Sequence, residues 1–405
     1  MSELSSIADL IMGQSPPSST YNDAGKGLPF FQGKTDFGSS HPRPRQFCST
    51  PLKIAKPGDI LISVRAPVGP TNIADRKCCI GRGLAAIRPQ KIHGEFLWYN
   101  LRYLEPIIAS LGTGTIFQAI NKTQLGSVEV NQAGFNEVEQ QKIAAVLGLI
   151  QHAIEQQARL LALTAELKKT LLHQLFTCGL RNEPQKQTEI GFVPQSWEVR
   201  PLGDYLTAAQ YGLSIKGADT GSYALLRMTN QQHGRITAEN LKYVELTAKE
   251  FEKFRLERQD ILFNRTNSLE LVGRTAIFEL DGDHVFASYL IRLRTDAERL
   301  RPHFLNHYFN ADEIQARLKS IASRAVSQSN ISATRLRGFL IPLPSTSEQD
   351  EIVEIVTGID QRLNFHRRKH AALRDLFRTL LHELMTAKIR INSLNFDECM
   401  ECFKR

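Results

Sequence analysis

The sequence predicts an α+β protein with two globular mixed α/β domains, separated by two long helices that pair as an antiparallel coiled coil with pseudo-two-fold symmetry. Three features lead to this prediction. A long segment occurs twice, both copies show a helical apolar periodicity, and a stretch of domain size precedes each copy. A chain of 405 residues also exceeds one comfortable hydrophobic core, which favours several domains.

The duplication aligns residues 139–177 with residues 348–386 without a gap. The run Thr-Leu-Leu-His at 170–173 recurs letter for letter at 379–382. Because the two copies have the same length, the sequence predicts two matched helical arms, each following its own globular head.

The first head is predicted over residues 1–134. Pro57-Gly58-Asp59 indicates a turn, and the apolar run at 60–64 indicates a short strand after it. Residues 84–87 indicate another strand, and residues 96–111 have helical spacing. These signals together favour a mixed α/β domain.

The long helices are predicted over residues 135–177 and 345–388. Their apolar residues recur at three- and four-residue steps, and no proline interrupts them. Each helix of about 40 residues would span roughly 60 Å and needs a partner along its apolar stripe. We expect the helices to cover each other rather than fold back on their own heads. The predicted helix-pair core is Ile143, Leu147, Ile150, Ile154, Leu167 and Leu171 with Ile352, Val356, Ile359, Leu363, Leu376 and Leu380.

The remaining segments are a linker at 178–196, a second head at 197–344 and a C-terminal tail at 389–405. Asp-Ile-Leu at 260–262 repeats the same letters at 59–61, so the duplication extends into the heads. Glycine and proline among polar residues predict the linker.

Composition limits the classes of function. The net charge of +8 permits a nucleic-acid partner without requiring one. No signal peptide and no apolar run of about 18 residues are visible, so no membrane partner is expected. The six cysteines are sparse and irregular, which is typical of a reducing cytoplasm.

Catalytic motifs are weak throughout the sequence. No phosphate-binding glycine loop and no spacing typical of a metal site occurs, so we expect no catalytic residue and no metal in this chain. Asp59 followed by Asp75 and Lys77 loosely matches a magnesium-dependent nuclease, which is kept as an alternative. A purely structural coiled-coil scaffold is a further alternative.

Polar side chains in loop-like contexts of both heads suggest contacts with DNA. Arginine can bind guanine in a bidentate way, asparagine and glutamine can bind adenine, and the cationic groups can neutralise phosphates. The predicted DNA-binding residues of the first head are Gln14, Ser15, Arg43, Arg45, Arg65, Arg82, Thr113, Gln118, Asn121 and Lys122. Those of the second head are Arg227, Asn230, Gln231, Arg265, Asn267, Arg274, Arg324, Gln328 and Asn330.

Several short motifs follow one another in a specific order along the chain. They are Gly13-Gln14-Ser15-Pro16-Pro17 with Tyr21-Asn22, residues 58–69, residues 81–88, Gly112-Thr113-Gly114 leading to Ile120, and residues 189–199 with Pro201-Leu202-Gly203. In this order they resemble the specificity subunit of type I restriction–modification systems, over about residues 3–388. The second head departs more from the pattern, because Asn264-Arg265-Thr266-Asn267 stands where the first head has residues 63–67.

The resemblance implies DNA sequence recognition without catalysis. Each head would be a target-recognition domain for one half of a bipartite, asymmetric site, and the helices would set the spacer and dock the methyltransferase subunits. The implied partners are double-stranded DNA, two methyltransferase (modification) subunits and, where restriction occurs, two motor-nuclease (restriction) subunits. S-adenosylmethionine, ATP and magnesium would then be held by the partner subunits.

Overall fold

A computed structural model of the chain describes residues 1–112, 118–132, 134–324 and 329–391. The chain divides into two compact units, one of residues 1–159 with 367–405 and one of residues 160–366. Each unit contains one mixed α/β head together with a stretch of both long helices. The prediction of two mixed α/β domains is confirmed.

The first head packs a four-stranded sheet in the order β2-β10-β7-β8 beside a five-stranded sheet in the order β3-β5-β4-β9-β6, and β1 pairs with β11. The strands are β1 (Ser2–Glu3), β2 (Ala8–Met12), β3 (Tyr21–Asn22), β4 (Leu28–Phe31), β5 (Gln46–Cys48), β6 (Ile54–Ala55), β7 (Ile60–Ser63), β8 (Thr71–Ile73), β9 (Cys78–Ile80), β10 (Leu84–Pro89) and β11 (Glu129–Val130). The helices are α1 (Leu4–Ile7), α2 (Gly94–Tyr103), α3 (Glu105–Ser110) and α4 (Lys122–Gly126), followed by the long α5 (Glu137–Thr177).

The second head is built on a six-stranded sheet in the order β15-β24-β20-β22-β18-β17, with a three-stranded sheet β19-β16-β23 and the smaller sheets β21-β26-β25, β12-β13 and β14-β27. The strands are β12 (Gln185–Thr188), β13 (Gly191–Pro194), β14 (Glu198–Pro201), β15 (Leu206–Tyr211), β16 (Tyr223–Leu226), β17 (Gln231–Gln232), β18 (Arg235–Ile236), β19 (Lys242–Val244), β20 (Ile261–Asn264), β21 (Thr266–Asn267), β22 (Thr275–Ile277), β23 (His284–Phe286), β24 (Leu290–Thr295), β25 (Ser323–Arg324), β26 (Ser329–Asn330) and β27 (Leu340–Leu343). The helices are α6 (Ala248–Phe254), α7 (Pro302–Phe309), α8 (Asp312–Ser320) and α9 (Ala333–Arg337), followed by the long α10 (Thr346–Met385).

The central strands β7 and β20 are buried over their whole length, which explains their continuous apolar sequence. Each strand is flanked by two antiparallel neighbours, β10 and β8 in the first head and β24 and β22 in the second. The equivalent Asp-Ile-Leu runs therefore begin equivalent core strands, and the duplication includes the heads.

A buried glutamine joins each head to its long helix. Gln140 of α5 accepts the backbone N–H of His93 at 3.0 Å and donates to the carbonyl of Phe135 at 3.1 Å. Gln349 of α10 accepts the N–H of Arg301 at 2.8 Å and donates to the carbonyl of Pro344 at 3.0 Å. The same side chain thus satisfies the same backbone groups in both units, so each head meets its helix in the same way.

The long helices contribute to both hydrophobic cores. In the first unit Ile143 and Leu147 of α5 share a cluster with Leu384 and Met385 of α10. In the second unit Leu172 and Leu175 of α5 share a cluster with α10 residues including Ile352. Their apolar stripes are therefore covered jointly by the other helix and by the head.

Two members of the predicted helix-pair core are not in a core. Leu167 is 56% exposed and Leu376 is 45% exposed, so the prediction for this pair is wrong. Their positions continue the helical periodicity, but the helices there turn these side chains to solvent. Of the other members, Ile143, Leu147, Ile352, Val356 and Leu363 are buried, and Ile150, Ile154, Leu171, Ile359 and Leu380 are half-buried.

The predicted linker and tail have more structure than expected. The linker contains the β12-β13 hairpin. At the C-terminus Ile391 is buried in the first unit's core, and Arg390 donates to Glu139 at 3.1 Å. Residues 389–391 therefore belong to the first unit, whereas the rest of the predicted tail lies outside the described residues.

Within the described ranges, no helix combines the length and apolar character needed to cross a bilayer.

Candidate nucleic-acid interface

The carboxylates of the nuclease alternative are engaged in structural contacts. Asp59 is 2% exposed and accepts hydrogen bonds from Arg88 Nε at 2.9 Å and Nη2 at 2.7 Å. Asp260 accepts the same pair of bonds from Arg294 at 2.8 and 3.0 Å. A bidentate bond of this kind holds the start of each core strand to its neighbour, so the duplicated aspartate has a structural role.

Asp75 is bound by the adjacent Arg76, which donates to both carboxylate oxygens. These bonds hold the pKa of Asp75 below its usual value. The described part of the chain contains no group of three or more histidine, cysteine or carboxylate side chains that could hold a metal ion. The nuclease alternative therefore has no support from the geometry.

In the first head, Gln14, Ser15 and Arg82 meet at the turn between β9 and β10. The Gln14 N–H donates to the Ile80 carbonyl at 3.0 Å, and the Ser15 hydroxyl accepts the Arg82 N–H at 3.2 Å. The side chains of Gln14 and Arg82 are exposed. The structure thus brings together two predicted contacts, one cationic and one amide, on an open turn.

A second group in the first head lies after β7. Arg65 forms an isolated bridge with Ala119, and the Ala66 N–H donates to the Gln118 carbonyl at 3.0 Å. Arg65 and Gln118 are both exposed and lie next to each other. Arg43, Arg45 and Lys122 are also exposed, whereas Thr113 lies outside the described residues.

Asn121 has a role within the fold. Its side chain accepts the Gln124 N–H at 2.9 Å, and the Gln124 side chain accepts the Asn121 N–H at 2.9 Å. This reciprocal arrangement caps the N-terminus of α4. The side chain remains exposed, and its contact with DNA stays a prediction.

In the second head, Arg265 and Tyr211 form a pair at the ends of β20 and β15. The Arg265 guanidinium lies 4.6 Å from the centre of the Tyr211 ring. Its Nη1 donates to the Ser288 carbonyl at 3.3 Å, on the turn between β23 and β24. Sequence reasoning identified Arg265 but missed Tyr211. A possible signal was that Tyr-Gly at 211–212 stands where the first head has Met-Gly at 12–13.

The other predicted contacts of the second head differ in their partners and in their exposure. Gln231 donates to the Leu262 carbonyl at 2.7 Å, and Asn267 contacts the sulfur of Met228 at 2.9 Å. Arg227 is half-buried and Arg274 is exposed. The side chain of Arg324 and all of Gln328 lie outside the described residues.

Two asparagines of the second head have partners within the fold, and the assignment of the buried Asn230 to a DNA contact is corrected. Asn230 is completely buried, and its amide donates to the carbonyls of Thr237 at 3.2 Å and Glu239 at 2.8 Å. Asn330 accepts the Thr266 hydroxyl at 3.0 Å between paired strands. A fully buried amide with its own partners cannot reach a base edge, so Asn230 closes a loop instead.

A cleft of about 760 Å³ lies between α7 and the first turns of α10 in the second unit. Among its lining residues, His303 contacts Glu279 at 2.9 Å, and Asp350 binds Arg301 at 2.8 Å. His307 also lines it, and burial lowers the pKa of His307 to about 4. The cleft is therefore a polar seam between helices.

Comparison with known proteins identifies the family. The family model described as type I restriction modification DNA specificity domain matches residues 1–164 and 194–374. The putative MjaX specificity subunit of Methanocaldococcus jannaschii is 44% identical over 174 residues, which cover 42% of this chain and 40% of that protein. The StySPI specificity subunit of Salmonella potsdam is 27% identical over 295 residues, covering 69% of this chain and 61% of that protein.

These two relatives are thus matched over less than two thirds of their own length. In structure, the chain is similar to the type I restriction–modification S subunit from M. genitalium, with a TM-score of 0.65, 18% identity and 94% coverage of both chains. That similarity shows a shared fold. Since the family model covers both heads and most of both long helices, the chain belongs to the type I restriction–modification DNA specificity family.

Proposed function

We propose that this chain is the non-catalytic DNA-recognition subunit of a type I restriction–modification complex, and that each head reads one half of a bipartite, asymmetric site. The observation that carries the proposal is the duplicated glutamine contact. Gln140 and Gln349 attach each head to its helix through equivalent backbone groups. Two heads that contact their helices in the same way but carry different surface residues can recognise the two different halves of an asymmetric site.

The long helices form an antiparallel coiled coil with pseudo-two-fold symmetry, and their length sets the spacer between the two half-sites. Support comes from the gapless repeat and from apolar clusters that both helices share within each unit. Ion pairing adds to it, since Lys168 of α5 reaches Asp360 of α10 at 2.6 Å. Two-headed readers bind half-sites about one DNA turn apart, roughly 34–36 Å, or a multiple of that distance.

Two methyltransferase subunits dock on the helices, one for each half of the repeat. Leu167 and Leu376 occupy equivalent positions of the repeat, and both are exposed. Exposed leucines kept in both copies suit two identical partners. These partners carry S-adenosylmethionine and flip an adenine in each half-site. Restriction subunits, where they join, bring ATP and magnesium.

The test uses the chain together with its modification subunits. Methylation mapping of DNA from cells that express the complex is expected to show one bipartite motif with a fixed spacer. A scaffold without DNA contacts predicts no motif and no salt-sensitive affinity of the complex for DNA. Cleavage of DNA by the purified chain with magnesium alone, lost in Asp75→Ala, would contradict the non-catalytic role.

A further inference from the structure

Arg265 occupies a position of the second head that is a buried valine in the first. In the first head the Val64 N–H donates to the Gly83 carbonyl at 2.9 Å, and the Val64 carbonyl accepts from Ile120 at 3.0 Å. In the second head the Arg265 N–H donates to the Tyr289 carbonyl at 3.0 Å, and its carbonyl accepts from Ile331 at 2.9 Å. The backbone contacts are the same, so the exchange of valine for arginine is a difference of side chain alone.

Tyr211, whose ring lies against Arg265, also differs from its equivalent in the first head. Gly13 follows Met12 and donates to the Leu84 carbonyl at 2.9 Å, whereas Gly212 follows Tyr211 and donates to the Leu290 carbonyl at 3.3 Å. Tyr211 therefore takes the place of Met12. An apolar neighbour of the valine has become an aromatic ring on which a guanidinium can stack.

Three contacts hold this pair in one orientation. The guanidinium lies over the Tyr211 ring at 4.6 Å and donates through Nη1 to the Ser288 carbonyl at 3.3 Å. The Tyr211 hydroxyl in turn accepts the Ala333 N–H at the start of α9, at 2.9 Å. Both the plane and the direction of the guanidinium are thereby set before any ligand arrives.

The pair also leaves donors unused. Among the described residues, Nη1 of Arg265 has one acceptor, the Ser288 carbonyl. Nη2 and the buried Nε have no acceptor there. Next to Arg265, Tyr211 is 40% exposed and Tyr289 is 49% exposed. Because Nε is buried, the donors left for a ligand are those of Nη2 and the second hydrogen of Nη1, beside the open Tyr211 ring.

We propose that Arg265 reads a guanine in the half-site bound by the second head and that Tyr211 is its positioning residue. The inference rests on the proposed function. A guanidinium fork with a fixed plane matches the O6 and N7 acceptors of guanine in the major groove. Phosphate can accept the same fork, and the loss of one base requirement in the variants distinguishes the two contacts. Arg82 of the first head stands at the turn position of Ser288 but is exposed, so the first head lacks the stacked guanidinium.

The experiment compares methylation motifs of the complex containing wild-type, Arg265→Val, Arg265→Lys or Tyr211→Met chains. Exchange of the second head first assigns its half-site. We expect Arg265→Val and Arg265→Lys to lose the requirement for one guanine there, with about 5- to 150-fold weaker discrimination. Tyr211→Met should lose part of the discrimination for that guanine. The other half-site, the spacer and the remaining positions should be unchanged.

Arg258→Ala is the matched control, because it removes one arginine that is paired with Asp281 at the opposite end of β20. It should leave the motif unchanged. Three results would overturn the inference: a wild-type half-site without a required guanine, an unchanged motif in Arg265→Val, or an Arg265→Lys chain that keeps the guanine requirement. Should Arg265→Val unfold the head, the lysine and methionine variants decide. A wild-type complex without any motif would instead refute the proposed function.

Discussion

The indole of Trp197 donates to Glu348 Oε2 at 3.0 Å, and both side chains are buried. The other carboxylate oxygen accepts the Leu180 N–H at 3.0 Å. One glutamate at the start of α10 thus joins the end of α5 to the start of the second head. Its equivalent in the repeat, Glu139, binds Arg390 instead.

Glu348→Ala should destabilise the second unit by about 2–5 kcal/mol, because the buried Trp197 indole and the half-buried Leu180 N–H lose their acceptor. The chain has two tryptophans, Trp98 in the first unit and Trp197 in the second. Denaturant unfolding of Trp98→Phe chains, followed by Trp197 fluorescence, measures the effect. Glu351→Ala, an exposed change on the same helix, is the control and should cost little. Equal stability of the two variants would contradict the role of Glu348.

Arg390→Ala should destabilise the first unit by about 1–3 kcal/mol, since the buried Glu139 loses its ionic partner. The expected loss in the free energy of unfolding is modest because the Arg390 side chain is 45% exposed. The measurement is denaturant unfolding of Trp197→Phe chains, followed by Trp98 fluorescence. Arg378→Ala, which breaks an exposed pair with Asp375 on α10, provides the control and should change stability by less than about 0.5 kcal/mol. An equal effect of both substitutions would refute the assignment.

Stability of the second unit should fall as the pH drops from about 6.5 to about 4. Burial lowers the pKa of His307 to about 4 in the folded chain, against an ordinary value of 6.5. Within that window the unfolded chain binds a proton that the folded chain does not, so acid favours unfolding, by up to about 3 kcal/mol. His307→Gln should flatten this slope between pH 7.5 and 5 in urea titrations. An unchanged slope would show that other groups dominate.

Insertion of four residues after Ala158 in α5, together with the same insertion after Arg367 in α10, should lengthen the spacer of the recognised motif. Four residues add about one turn, or roughly 6 Å, to each helix. Both half-sites should stay as they are, because no head residue changes. Methylation mapping reads the spacer and both halves at once. If the complex with the lengthened helices still methylates DNA and the spacer is unchanged, helix length does not set the spacer.

Replacement of residues 1–134 by the head of another family member should change one half-site only. The matched glutamine contact at Gln140 lies outside the exchanged segment and binds backbone groups, so a foreign head with the same backbone can use it. Motif mapping of the chimeric complex is the measurement. A change in both half-sites would show that the heads do not read independently.

The long helices and the duplication could be predicted because a period of three to four residues persists over many turns without proline. Leu167 and Leu376 could not be placed, since helical spacing gives the direction of a side chain but not what covers it. The core strands β7 and β20 were evident from short apolar runs after a turn. Strand order was not, because pairing joins residues far apart in the chain.

The DNA contacts predicted at exposed loop positions such as Arg65 and Arg82 stay predictions, whereas a polar side chain that serves its own backbone cannot be recognised from the sequence. Asn121 and Asn230 have the residue type that binds adenine, yet one caps α4 and the other closes a loop. Sequence spacing cannot separate these uses. Tyr211 escaped notice because its role depends on Arg265, which is distant in sequence and adjacent only after folding.

The burial of Ile391 in the first unit has a consequence for synthesis on the ribosome. Residues 160–366 can complete their own core as soon as they leave the exit tunnel, whereas the first head lacks part of its hydrophobic cluster until Leu384, Met385 and Ile391 emerge. The half that is translated first is therefore the half that matures last. A chain truncated before Leu384 and released from the ribosome should already protect the second unit from protease while the first remains open to cleavage.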